Sequence, residues 1–113
     1  MRLVIIESPY AGKPREVKRN LEYLRAAMAD CLRRGEAPYA SHALYTQPGV
    51  LDDNVAEERA LGIEAGLAWG AKAQATVVYI DRGLSSGMRA GIARAEAEGR
   101  PVEYRHLGAE WSR

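Results

Sequence analysis

The sequence predicts an α/β fold: one parallel sheet of about four strands with helices on both faces, in a single domain spanning residues 1–113. Three observations carry it. The chain alternates strand, helix, strand, helix, strand, helix, strand, the order that builds parallel sheets with crossover helices. Its clearest strand candidates, "RLVIIE" and "ATVVYID", are apolar without polar alternation, as strands covered on both faces are. A chain of 113 residues that is 47% hydrophobic and 27% charged has the size and composition of one soluble domain with one core.

The elements follow in order. Residues 2–7 form the first strand, and "SPYAGKP" is a turn punctuated by Pro9, Gly12 and Pro14, with Pro14 suited to open a helix. From Arg15 to Arg34 the residues Val17, Leu21, Leu24, Met28, Cys31 and Leu32 recur at spacings of three and four, one apolar helix face, which Gly35 ends. "APYAS", 37–41, is a weaker second strand. "HALYTQPGVLDD" reads as a polar and aromatic loop, after which Asp53 or Asn54 caps a helix over roughly 54–72. The third strand is 75–81. A last helix starts near Ser86 and stops at Gly99, and "RPVEYRHL" supplies the fourth strand.

Net charge is +1, with basic and acidic residues interleaved, so there is no basic stripe for a nucleic acid polymer. The N-terminal apolar run is too short for a signal segment or a membrane span. The lone Cys31 fits a buried position in a reducing compartment. The expectation is a cytoplasmic protein with no membrane partner. Gly62, Gly66 and Gly70 line one face of the second helix. They mark either close packing on the sheet or a contact with another subunit. A homo-oligomer is expected, since a small sheet has edges to cover.

Ligands of such sheets sit at the carboxyl ends of the strands, which singles out three loops. In "DRGLSSGMR", Ser85 or Ser86 can cap the helix, Gly83 and Gly87 let backbone approach a ligand, and Asp81 can accept from a sugar or base. In "SPYAGK", Tyr10 can stack on a base beside Gly12, and Lys13 can balance a phosphate. The middle loop offers Ser41, His42, Tyr45 and Gln47. Ser8, His42 and Asp81 would compose a triad on paper, without a nucleophile-elbow motif. Two histidines, His42 and His106, are too few for a histidine metal site, and no cofactor or metal is expected. Among the acids Glu7, Glu64 and Asp81 matter most. Glu64, inside the apolar "LGIEAGL", either faces the site or pairs with Arg59 or Arg89.

Two long segments, "IIESPYAGKPREVKRNLEYLRAAMADCLRRGEAPYASHAL" and "VVYIDRGLSSGMRAGIARAEAEGRPV", resemble the nucleoside 2-deoxyribosyltransferase-like family. The resemblance implies a flavodoxin-like or Rossmann-like sheet, an oligomer, and a nucleoside or nucleotide held at the strand ends. It implies cleavage or exchange of an N-glycosidic bond by a glutamate on the last helix, aided by aspartates and a first-loop tyrosine. Tyr10 matches that tyrosine, and Asp81, Ser86, Gly87 and Met88 match the final loop. The glutamate has no match: its position falls at Arg89 in one spacing and at Gly91 in the other. Arg82 to Ala95 contains no carboxylate at all.

An arginine where an acid is missing favours an anionic ligand, because guanidinium pairs bidentately with phosphate. The expected function is therefore binding of a nucleotide or a nucleotide-derived compound of the ADP-ribose type, for sensing or sequestration without turnover. Ser8, Tyr10, Gly12, His42, Tyr45, Asp81, Ser85, Ser86, Gly87, Met88 and Arg89 are the candidate binding residues. The alternative is an N-glycosidase or deoxyribosyltransferase that uses Glu64 or Asp81 as its carboxylate. A scaffold with a vestigial pocket is a third reading.

Overall fold

A computed structural model describes residues 1–112. Four strands, β1 (Arg2–Glu7), β2 (Glu36–Tyr39), β3 (Ala75–Tyr79) and β4 (Val102–Arg105), form one sheet in the order β2-β1-β3-β4. All three pairings are parallel, with Val4 opposite Ala75 and Thr76 opposite Val102. The helices are α1 (Pro14–Arg33), α2 (Ser41–Leu44), α3 (Ala56–Gly70) and α4 (Ser86–Ala97), followed by a short 3₁₀ turn over Ala109–Trp111. The α/β fold expected from the alternation is the fold observed.

Alternation along each strand sorts residues between two layers. Val4 and Ile6 of β1, with Ala75, Val77 and Tyr79 of β3, pack on Tyr23, Leu24, Ala27 and Cys31 of α1. Glu7 and Ile5 project to the other face, against Gly91 of α4 and Gly70 of α3. All five residues of β3 are buried, which explains why that strand was the plainest in the sequence.

Several boundaries differ, each for a local reason. β2 starts at Glu36 and carries Pro38 without penalty because it is an edge strand. β3 stops at Tyr79, and Gly83 turns the chain with φ +84° before α4. Pro14 does open α1, and Gly35, at φ +79°, ends it. Neither Asp53 nor Asn54 caps α3; Val55 precedes it with no side-chain cap, and Asp52 spends its carboxylate on the Asn54 amide instead. The middle loop contains α2, a helix of four residues, too short to show a helical period.

The three glycines of α3 face the protein's own interior. A Cβ at Gly66 would press on Ser41, one at Gly62 on Leu51, and Gly70 lies against Ile5 and Arg100. Gly70 packs on the sheet, as one of the two readings of that stripe expected, while Gly62 and Gly66 pack on the middle loop and α2 instead.

Candidate functional site

In this strand order the chain leaves β1 for α1 on one face and β3 for α4 on the other, while β1 and β3 lie side by side. The departing loops splay apart, and the carboxyl ends of these two strands are the switch point at which sheets of this order hold ligands. Its two sides differ in chemistry.

The α1 side is closed. The Asp81 carboxylate accepts from the Tyr23 hydroxyl at 2.7 Å and from the amides of Leu107 and Gly108 at 2.8–3.0 Å. Burial pushes this carboxyl up, but the Tyr23, Gly108 and Leu107 bonds outweigh it and hold it below the usual range. The segment after β4 is thereby drawn over the strand ends. Trp111 stacks at a tilt on Tyr23, the Arg19 guanidinium lies 4.2 Å from the Trp111 ring, and Arg82 donates to the Trp111 carbonyl at 2.8 Å. Asp81, expected to hold a ligand or to act as the acid, holds the chain's own tail.

The α4 side is different. Glu7, the last residue of β1, is half-buried, and no hydrogen-bond donor reaches its carboxylate among the described residues. Desolvation raises its pKa to about 7, opposed by the charge of Arg100. The carboxylate rests on the backbone of α4 at Gly91, where a Cβ would collide with both of its oxygens. Gly91 is also one of the two positions at which the resemblance looked for a glutamate. One residue further along the chain, the Ser8 hydroxyl and His42 Nε2 are 2.8 Å apart. Burial lowers the His42 pKa to about 4, so its ring is neutral at pH 7. Tyr10 turns its ring edge-on to His42, centroids 6.5 Å apart. Two members of the paper triad thus meet, but the Asp81 oxygens are engaged elsewhere and no triad forms.

The other candidates scatter. Ser85, not Ser86, caps α4, its Oγ accepting from the Met88 amide at 3.2 Å. Met88 is buried in the core at 1% exposure, its sulfur accepting from the Ser85 amide. Ser86, Gly87 and Arg89 are exposed; Arg89 does not share the inward face of Met88, Gly91 and Ala95. Gly12 and Lys13 are exposed at the start of α1. Tyr45 accepts from the Tyr39 hydroxyl at 2.7 Å and, with His42, Ser41, Leu51 and Gly62, lines a small cleft between α2 and α3. Glu64 is exposed and pairs with neither Arg59 nor Arg89, Arg59 lying 3.9 Å from Asp53. It sits about 200° around the helix from the inward glycines, facing water.

Sequence reasoning passed over Asn20. Its amide donates to the Tyr10 carbonyl at 3.0 Å and its oxygen accepts from Arg82 Nε at 3.1 Å, tying the first loop to the third. Tyr23 was missed too, hidden among helix-surface residues. A polar residue on the inward face of α1, between Val17 and Leu24, was the available signal. Glu7 was noticed as an acid but not placed in the site, since a strand-terminal glutamate looks like any solvated one.

A family model described as Domain of unknown function (DUF7768) matches residues 2–105. No curated protein matches the sequence. Among solved structures, a 2-deoxyribosyltransferase from the psychrotolerant bacterium Bacillus psychrosaccharolyticus is similar in fold. The TM-score is 0.71 at 16% identity, covering 92% of this chain and 72% of that one.

Proposed function

The chain belongs to the DUF7768 family, and we propose that it binds a nucleoside or nucleotide at the carboxyl ends of β1 and β3. One observation carries this reading: at the carboxyl end of β1 the Glu7 carboxylate accepts no hydrogen bond among the described residues and lies against bare helix backbone at Gly91, and the next residue, Ser8, pairs with His42. Those are the groups a furanose needs. Its hydroxyls donate to the carboxylate and exchange hydrogen bonds with serine and imidazole, while Tyr10 offers a ring at the mouth for the base. The likeness in fold to a 2-deoxyribosyltransferase supports the same ligand class. Arg89 lies on the exposed side of α4, so the argument for a phosphate there weakens and the sugar becomes the part recognised.

The test is a thermal-shift and calorimetric screen against adenosine, inosine, uridine, thymidine and their 5′-monophosphates. A ligand present at 100 times its dissociation constant adds about 2.7 kcal/mol to stability, which is easily seen. Ser8→Ala with His42→Ala should abolish the shift. A protein that none of these compounds stabilises does not have this function. The homo-oligomer belongs to the same reading: Leu61, Ile63 and Trp69 on the outer face of α3 are each more than half exposed, and sedimentation would show whether a second copy covers them.

A further inference from the structure

Along the first turns of α1, where the loop after β3 comes alongside, lies an open groove of about 460 Å³ that the proposed nucleoside site does not use. All six residues that line it are charged: Arg15, Glu16, Lys18, Arg19 and Glu22 of α1, and Arg82 of the loop. The volume is that of a small-molecule site, but such sites are mostly apolar. A groove lined by charged residues alone selects its ligand by charge.

Four cations face two acids there, and the acids do not neutralise them. Arg15 and Lys18 are exposed and form no hydrogen bond or ion pair among the described residues. Elsewhere on the molecule such pairs do close: Arg34 meets Asp30 and Arg94 meets Glu98, each at 2.9 Å across one helical turn. Lys18 and Glu22 have the same spacing and stay apart. Arg15 and Arg19 repeat one charge at that spacing, which weakens a helix with no anion between them. Two of the cations are fixed in advance. The Arg19 guanidinium lies on the Trp111 ring and donates to the Glu110 carbonyl at 3.0 Å. Arg82 donates from Nε to the Asn20 oxygen and from Nη1 to the Trp111 carbonyl. Side chains already ordered lose little freedom when a ligand arrives.

We propose that this groove binds a phosphate chain, as found in tripolyphosphate or in the tail of a nucleoside triphosphate, at a site separate from the strand ends. Phosphoryl groups carry dense negative charge and several acceptor oxygens, and guanidinium meets them with paired N–H donors. Arg19 and Arg82 supply fixed charge, and Arg15 and Lys18 are free to swing onto the chain. Glu16 and Glu22 oppose a weakly charged anion, so the groove favours a ligand of several charges. No aromatic residue lines it, and the Trp111 ring is already covered by Arg19, so a base adds nothing to recognition. The inference does not depend on the nucleoside reading.

The test titrates tripolyphosphate, ATP and citrate separately into the whole isotope-labelled chain, read by calorimetry and amide shifts at low salt and at about 0.15 M salt. Tripolyphosphate should bind, move residues 15–22 and 82, and weaken as salt rises. ATP should bind no tighter than tripolyphosphate, and citrate more weakly than either. Arg15→Ala with Lys18→Ala removes two side chains that make no hydrogen bond or ion pair. It should leave circular dichroism unchanged and weaken binding at least about 10-fold, equivalent to about 1.4 kcal/mol. Lys72→Ala, an exposed lysine beyond the end of α3, should bind as wild type does. Unmoved residues 15–22 at saturating tripolyphosphate overturn the proposal, as does undiminished binding by the double variant. An equal loss in Lys72→Ala reveals attraction to net charge alone, ATP binding without tripolyphosphate binding reveals a base site, and equal binding of citrate removes the selectivity; each also overturns it. Uncharged nucleosides should leave residues 15–22 in place, so the two sites fail independently.

Discussion

Glu7 and His42 are both taken from water, with opposite consequences for acid and base forms. The Glu7 carboxyl moves from 4.5 to about 7, so between those values the folded protein holds a proton that the unfolded chain has released. Its contribution to stability falls as pH rises through that window. His42 moves from 6.5 to about 4; here the unfolded chain holds the extra proton, and stability rises with pH over 4 to 6.5. In wild type the two slopes oppose each other. Glu7→Gln removes only the first. The variant should exceed wild type by about 2–3 kcal/mol at pH 8 and should gain stability steadily from pH 4.5 to 6.5. Urea titrations across this range check it, and equal stability at pH 8 would show that water reaches the folded carboxylate. Asp81 is the contrasting residue: Asp81→Ala strands three buried donors and should cost about 3 kcal/mol, with proteolysis opening first near residues 107–112. Neither role was legible in sequence. An acid at the end of "RLVIIE" and one at the end of "VVYID" look alike, and only the fold shows that, among the described residues, one has donors and the other has none.

At the scale of elements, α3 shows what a pattern conveys and what it leaves open. Three glycines four residues apart announce one close-packed face, yet the same line would serve a neighbour in another subunit. The structure assigns it to Ser41, Leu51 and the sheet. The three positions therefore separate by substitution. At Gly70 an added Cβ meets only ordinary contacts beyond 3.7 Å, so Gly70→Ala should gain about 0.5 kcal/mol from backbone entropy. At Gly66 it would fall 2.9 Å from the Ser41 Cβ, which cannot swing away, so Gly66→Ala should lose about 1–2 kcal/mol despite the better helix former. Thermal melts of both variants give the comparison; the same sign for both would contradict the packing. Helix α1 was legible from its length, apolar period and glycine stop, and α4 from its serine start and the glycine that ends it. The four-residue α2 had none of these, although it brings His42 to Ser8.

Across the whole molecule, elements far apart in sequence are fastened by charge. Arg105 forks onto both oxygens of Glu36 at 2.8 Å and reaches Glu103 at 3.0 Å, while Arg2 bridges the same two acids. This ring ties β1, β2 and β4. The Arg105 bond, with that of Arg2, lowers the Glu36 pKa to about 2 despite burial. Its stabilisation is present above pH 4.5 and is lost as pH falls toward 2. Glu36→Ala leaves the buried Arg105 short of its counter-charge and should cost about 3–5 kcal/mol, measurable by urea titration at pH 7. In sequence these residues read as part of an even scatter of charges, since 69 positions separate Arg105 from Glu36. The sheet order was legible because alternation and apolar runs are local. The proposed site was not, because its residues come from β1, α2 and α4.

The central claim is the placement of a nucleoside between Glu7, the Ser8–His42 pair and Gly91. Amide chemical-shift mapping tests it most directly, with the nucleoside that gives the largest thermal shift titrated into isotope-labelled protein. Perturbations should gather at residues 7–10, 41–43 and 87–92, with α3's outer face and the Arg15–Arg19 surface unmoved. Shifts gathered on either of those surfaces, or none at saturating nucleoside, would contradict it.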